Sequence, residues 1–327
     1  MSTVSMMRCP DYRSDHVEQA LDAALEPFGG LNGVAGFGRR IKRGSRILIK
    51  PNFLRAAPAE AVLSPHPELL RALIARLQSL DLNLDLRIGD SPAFGTARGV
   101  ARANGIAAVA AQAQVPIIEF RRPTKVWVPG FEAGPLQIDT AVLEADVVIN
   151  VCKMKSHCQM LMTGAVKNLF GCISGKRKPI WHMRLGDQEN RFAELMLAIY
   201  QQVGPVISIC DAVLAMEGNG PGLGDPRQVG LLLVAEDAVA LDTILAELAG
   251  YQPEQLRILQ AARAANIGAS CLEAIQLHGD VSLEDARVLH WKGPDMMNIA
   301  FSPLQVLRSS LKQIALRSSA LLKPESV

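Results

Sequence analysis

The sequence predicts an α/β fold: a mostly parallel sheet with helices on both faces, in a Rossmann-like three-layer arrangement. Three observations predict it. Short apolar runs recur along the 327 residues, several almost continuously apolar, as strands buried on both faces are. Amphipathic segments of helical period lie between them. Alternation of the two within one chain is the pattern of parallel pairing through crossover helices.

The elements follow in order. Asp15–Leu25 places Val17, Ala20, Leu21 and Ala24 on one stripe and reads as a helix. Arg46–Lys50 (RILIK) is the first buried strand. Pro67–Leu80 is a helix with Pro just inside its start, a cap at His66 and repeating Leu69, Leu70, Leu73, Ile74 and Leu77. Asn83–Ile88 and Val115–Phe120 are strands, and Arg121–Asp139, with its Pro, Gly and short alternating pieces, suggests a hairpin or small insertion. Asp146–Val151, Val206–Cys210 and Val229–Val234 are further strands. Phe192–Gln202 and Val239–Leu248 are helices, the second capped by Asp237. Gly29–Gly38 and Glu217–Pro226 are the loops richest in Gly and Pro. The domain reading is an α/β domain over 1–300 and a basic amphipathic helix over 301–327.

Composition narrows the function classes. Apolar residues make up 49% and charged residues 20%, an ordinary globular balance. A net charge of +2 and 5% aromatics make nucleic-acid binding, for instance through Lys176–Lys178, the weakest reading. No apolar run is long enough to cross a membrane, and the N-terminus lacks a secretory leader's apolar segment, so the expected compartment is the cytoplasm. None of the six cysteines sits in a CxxC pair, so they read as reduced, core-filling thiols. Cys152, Cys158 and Cys172 would be soft metal ligands only if they converged in space.

In open α/β sheets ligands bind beyond the carboxyl ends of the strands. Here those ends deliver Lys50 and Asn52, then Asp90 and Ser91, then the stretch CKMKSHCQMLMTGAVKNLFG, then Asp211 with the EGNGPGLGDP loop. Lys153 and Lys155 alternate, so in an extended segment they share a face, and His157 continues it. Thr163–Val166 reads as a helix start with Lys167 and Asn168 one turn in. Free N–H groups at a helix N-terminus beside ammonium groups form an anion trap. A basic surface loop is the alternative.

This gives an enzyme or enzyme subunit that binds an anionic small molecule or cofactor. Lys153, Lys155 and Lys167 hold the anion, while Asn168 and Asn219 orient it. His157 or His182 exchanges protons. Asp211 and Glu217 act as base or, with the two histidines, as metal ligands. Residues Lys176 to Arg184 are either a lid or a solvated loop. The glycine-rich loops match neither a P-loop nor a dinucleotide fingerprint in context.

At these residues the chain resembles the prokaryotic family catalogued as domain of unknown function 362. The motifs are RCPDY, ILIKPNFL, LSPHPELLRALI, IGDSP, VINVCKMKSH, TGAVKNLFG and DAVLAMEGNGPGLGDPRQVGLLLVAEDAVALD. Many relatives carry two ferredoxin-like CxxCxxCxxxCP clusters for iron–sulfur centres; this chain has none. The resemblance implies either a cluster-free member or a fragment, a redox link, and a ferredoxin-like partner supplied in trans. The alternative is a non-catalytic scaffold for such a partner. The core is also similar, at fold level, to the N-terminal part of lactate racemase-like proteins.

Ser302–Lys323 has Leu304, Leu307, Leu311, Ile314 and Leu321 at helical spacing, with Arg308, Lys312, Arg317 and Lys323 and no acid. Such a helix lies on a membrane, docks an acidic partner or packs on its own core.

Overall fold

The structure is a computed structural model that describes residues 1–31, 37–175, 177–186, 188, 190–204, 206–302 and 304. Lys176, part of the Gly29–Gly38 loop and nearly all of the expected C-terminal helix lie outside the described residues.

The strands are β1 (Ser2–Arg8), β2 (Arg46–Pro51), β3 (Asp85–Asp90), β4 (Ile117–Glu119), β5 (Pro123–Val126), β6 (Leu136–Asp139), β7 (Val147–His157), β8 (Leu161–Thr163), β9 (Val206–Glu217), β10 (Asp225–Ala235) and β11 (Ile275–Gly279). Among the described residues one sheet runs β11-β1-β10-β9-β7-β2-β3-β4, with β8 added beside β7. The half from β9 to β4 is parallel. β10 runs antiparallel to β9 and β1. The short Gly-rich connection from Glu217 to Asp225 is the cause: a loop of that length can only return as a hairpin. The expected insertion at 121–139 is a separate two-stranded hairpin, β5–β6.

Among the described residues the α-helices are α1 (Ser14–Leu25), α2 (Pro67–Gln78), α3 (Ala97–Asn104), α4 (Ile106–Gln112), α5 (Thr140–Leu143), α6 (Ala165–Asn168), α7 (Arg177–Leu185), α8 (Arg191–Val203), α9 (Ala238–Leu248), α10 (Arg257–Ala265) and α11 (Leu283–Ala286). Strand pleat divides the core into two apolar layers. Ile47 and Ile49 of β2 face the layer of α1, α2, α3 and α4, whereas Leu48 faces the layer of α8, α9 and α10. Leu232 and Val234 against Leu231 and Leu233 make the same division on β10. The arrangement is therefore helix, sheet, helix, a mixed but mostly parallel α/β fold.

Two features matter for function. β7 does not stop at Val151: all eleven residues to His157 are buried strand, so the basic stretch begins inside the sheet. α6 is a helix of a single turn that carries Lys167 and Asn168, and a tight turn (Leu169–Cys172) follows it at once.

Candidate functional site

Beyond the carboxyl ends of β2, β3 and β7 lies a cavity of about 410 Å³. That volume suits a small organic ligand. Of the residues singled out from sequence, Asn52, Asp90, Ser91, Lys155, His157, Lys167, Asn168 and His182 all line it. Its walls are apolar, with Phe53, Phe94, Phe170, Phe301 and Pro179 among them.

Beneath the cavity a polar ladder crosses the sheet. Lys50 is wholly buried at the end of β2, its ammonium 2.8 Å from Asp90 Oδ1 on β3. Asp90 Oδ2 accepts the Phe53 N–H at 3.0 Å. Lys50 Nζ donates to Asn168 Oδ1 (3.2 Å), and Asn168 Nδ2 donates to Asn150 Oδ1 (2.7 Å). Asn150 Nδ2 donates to Ser208 Oγ on β9 and to the Ala165 carbonyl, both at 3.0 Å. Buried polar groups tolerate burial only when paired in this way. Gly171 fits over the ion pair because it has no side chain; a Cβ there would lie 1.9 Å from Asp90 Oδ1.

Lys155, from β7, is 1% exposed, and its Nζ donates to the Leu63 carbonyl at 2.8 Å. Burial first, then the Lys167 and Lys153 ammoniums, push its pKa down to about 7. Lys167, from α6, is pushed down to about 8 by burial and by Lys178. Among the described residues neither Lys155 nor Lys167 has a carboxylate within ion-pair reach. Lys178, from α7, donates to the Ser91 carbonyl and stands over the Phe170 ring.

The two histidines offer opposite hydrogen-bonding edges. His157 Nδ1 accepts the Gln159 N–H (3.1 Å), so its proton resides on Nε2. His182 Nδ1 faces the Ile299 carbonyl at 3.0 Å, an acceptor only, so it carries the proton and Nε2 keeps a lone pair. Burial lowers both, His157 well below its ordinary value and His182 to about 4. His182 stacks on Phe301 with ring centres 4.3 Å apart and packs against Phe192 at 4.4 Å.

The expected anion trap at the start of α6 is corrected. The Ala165 and Val166 N–H groups donate to the two carboxylate oxygens of buried Asp242, at 2.5 and 3.1 Å. The turn is already capped, so the lysine side chains rather than the helix N–H groups face the cavity. Sequence reasoning missed Asp242. Its signal was an acid inside AVALDTILAEL, a segment otherwise apolar enough to be buried all round, as α9 is. Asn150 and Ser208 were missed because neither is charged and each sits inside an apolar strand.

Four other candidates lie away from the cavity lining. Lys153 pairs with Asp211 (2.9 Å), and both bond the Tyr12 hydroxyl, with Asp211 also accepting the His66 N–H. Tyr12 stacks on His66, whose Nδ1 caps α2. This group ties the N-terminus and α2 to β7 and β9. Glu217 accepts the Lys292 N–H, and Asn219 exchanges two hydrogen bonds with Asp295. They fasten the C-terminal segment that carries Phe301 to the cavity; only Pro221 of their loop reaches it. Among the described residues no three of His, Cys, Asp and Glu gather to hold a metal, and Cys152, Cys158 and Cys172 make no such group.

Comparison with known proteins adds three findings. The family described as Domain of unknown function (DUF362) matches residues 47–247. A Synechocystis sp. protein named Thylakoid-associated protein sll1697 is 36% identical over 321 residues, covering 97% of this chain and 96% of that protein. The lactate racemase apoprotein from Thermoanaerobacterium thermosaccharolyticum aligns with a TM-score of 0.47 and 13% identity, over 72% of this chain and 55% of that chain.

Proposed function

The chain belongs to the Domain of unknown function (DUF362) family, and from that premise we propose an enzyme-like module that binds an organic anion in the cavity. The observation that carries the reading is one combination: two ammonium groups without carboxylate partners among the described residues, set in apolar walls. Lys167 and Lys155 hold the anionic group, with Lys178 beside them. Asn168 is kept in place by the polar ladder. The phenylalanine walls take an apolar body. Ser91 and Asn52 offer hydrogen bonds at the rim.

Burial and mutual repulsion disfavour protonation of the cavity's lysines and histidines. An anion beside Lys167 offsets that repulsion and favours its ammonium form. His157 and His182 then serve as donor and acceptor for proton exchange, as their opposite edges allow.

Phenylacetate, a carboxylate on an apolar ring, is the test ligand. Calorimetry of the full chain should show binding, and Lys167→Gln should weaken it by about 1.5–3 kcal/mol, the worth of a charge-assisted bond. Equal affinity in the variant would refute the assignment.

The redox link, the ferredoxin-like partner and the cytoplasmic location are finer proposals that rest on the resemblance and on composition. Among the described residues no helix is long and apolar enough to cross a membrane. The name of the Synechocystis relative points toward a membrane neighbourhood, and cell fractionation separates the two locations.

A further inference from the structure

Lys155 is the buried nucleophilic group that anion binding alone does not use fully. Lys155 lines the cavity, and the hydrogen-bond partner of its amine among the described residues is one carbonyl, that of Leu63. A neutral amine donates one N–H to that carbonyl and keeps its lone pair for an electrophile. Lys167 shares the cavity and supplies charge that need not come from Lys155. Lysines desolvated in an apolar pocket beside a second cation are the ones that attack carbonyls at neutral pH.

We propose that Lys155 forms an imine with a 2-oxo acid whose carboxylate is held by Lys167. The proposal rests on the anion-binding reading and names its substrate class. The Lys155 nitrogen bonds to the carbonyl carbon, and its proton passes to the carbonyl oxygen, giving a carbinolamine. One proton from solvent then joins the hydroxyl, the C–O bond breaks, water leaves, and a protonated imine remains. No electron is gained or lost. His182 Nε2, with its free lone pair, takes the proton from the adding nitrogen and passes it to the carbonyl oxygen, then relays one proton from solvent to the departing hydroxyl. His157 keeps its Nε2 proton and hydrogen-bonds through it to the oxygen as it leaves. The depressed Lys155 pKa, about 7, agrees with this chemistry: near neutral pH half of the side chain is free amine, where an ordinary lysine has almost none.

The experiment uses the full chain and two probes, pyruvate and phenylpyruvate. Each is incubated with the protein, reduced with sodium borohydride, and the digest is mapped by mass spectrometry. The expected result is a reduced adduct on Lys155, with a rate that rises as pH passes about 7. Lys155→Arg, which keeps charge but loses the reactive amine, should abolish it. No adduct, an adduct spread over other lysines, or a rate that rises only in the range of ordinary lysines overturns the proposal. Phenylacetate has no carbonyl and separates the two levels. Phenylacetate binding without a Lys155 adduct removes the imine alone; absence of both removes the anion reading as well.

Discussion

Lys50 and Asp90 depend on each other, since both are buried and each is the other's counter-charge. Replacing one partner leaves an uncompensated charge in the interior, at a cost of about 3–5 kcal/mol. Asp90→Ala should therefore lower unfolding free energy by about that much, whereas Lys50→Met with Asp90→Leu should cost clearly less. Equal losses for single and double variants in urea unfolding would show that the pair does not act as a unit. Both residues were legible in the sequence as polar groups at strand ends. Their pairing was not, because it depends on Gly171 leaving room above them. Lys153 and Lys155 were equally alike on paper. What separates them is Tyr12 and Asp211, far away along the chain, which claim Lys153 and leave Lys155 to the cavity.

α6 is the element on which the cavity most depends. It carries Lys167 and Asn168, and its N-terminal groups are held by Asp242 from α9. Gly164 permits the approach: a Cβ there would lie 2.2 Å from Asp242 Oδ1. Burial raises the Asp242 pKa to about 7, against the two backbone donors that lower it. Between about pH 4 and 7 the folded chain holds a proton that the unfolded chain gives up. Asp242 therefore makes stability fall as pH rises through that window, by up to about 4 kcal/mol. Asp242→Asn should remove this slope in denaturation measured from pH 4 to 8; an unchanged slope would contradict the assignment. Lys155 acts in the opposite sense above pH 7, where an unfolded lysine keeps a proton that the folded amine has lost. Most of the elements that build the two layers were legible because burial imposes a period of 2 or 3.6 on apolar residues. The last turn of β7 was not, because Lys153, Lys155, Ser156 and His157 break the apolar run while remaining in the strand. β1 and the edge strand β11 close the sheet beyond β10 and carry weaker apolar patterning.

The molecule gathers the polar ends of β2, β3 and β7 at one rim of the parallel half of its sheet. The mixed half does different work. The β9–β10 hairpin projects Glu217 and Asn219, which fix the segment through Asp295 and so seat Phe301 against His182. Sequence reasoning assigned that loop to the ligand because glycine and acid at a strand end suit either purpose. Distinguishing them needs the partner segment, which lies some seventy residues further on. Lys155 of β7 and Lys167 of α6 line one cavity, and the proposed function has them share one anion. A crystal structure of the protein soaked with phenylacetate tests it most directly. The carboxylate is expected within ion-pair distance of Lys167 Nζ and the ring against Phe170 or Phe301. Phenylacetate ordered elsewhere on the protein, with that cavity unoccupied, would contradict it.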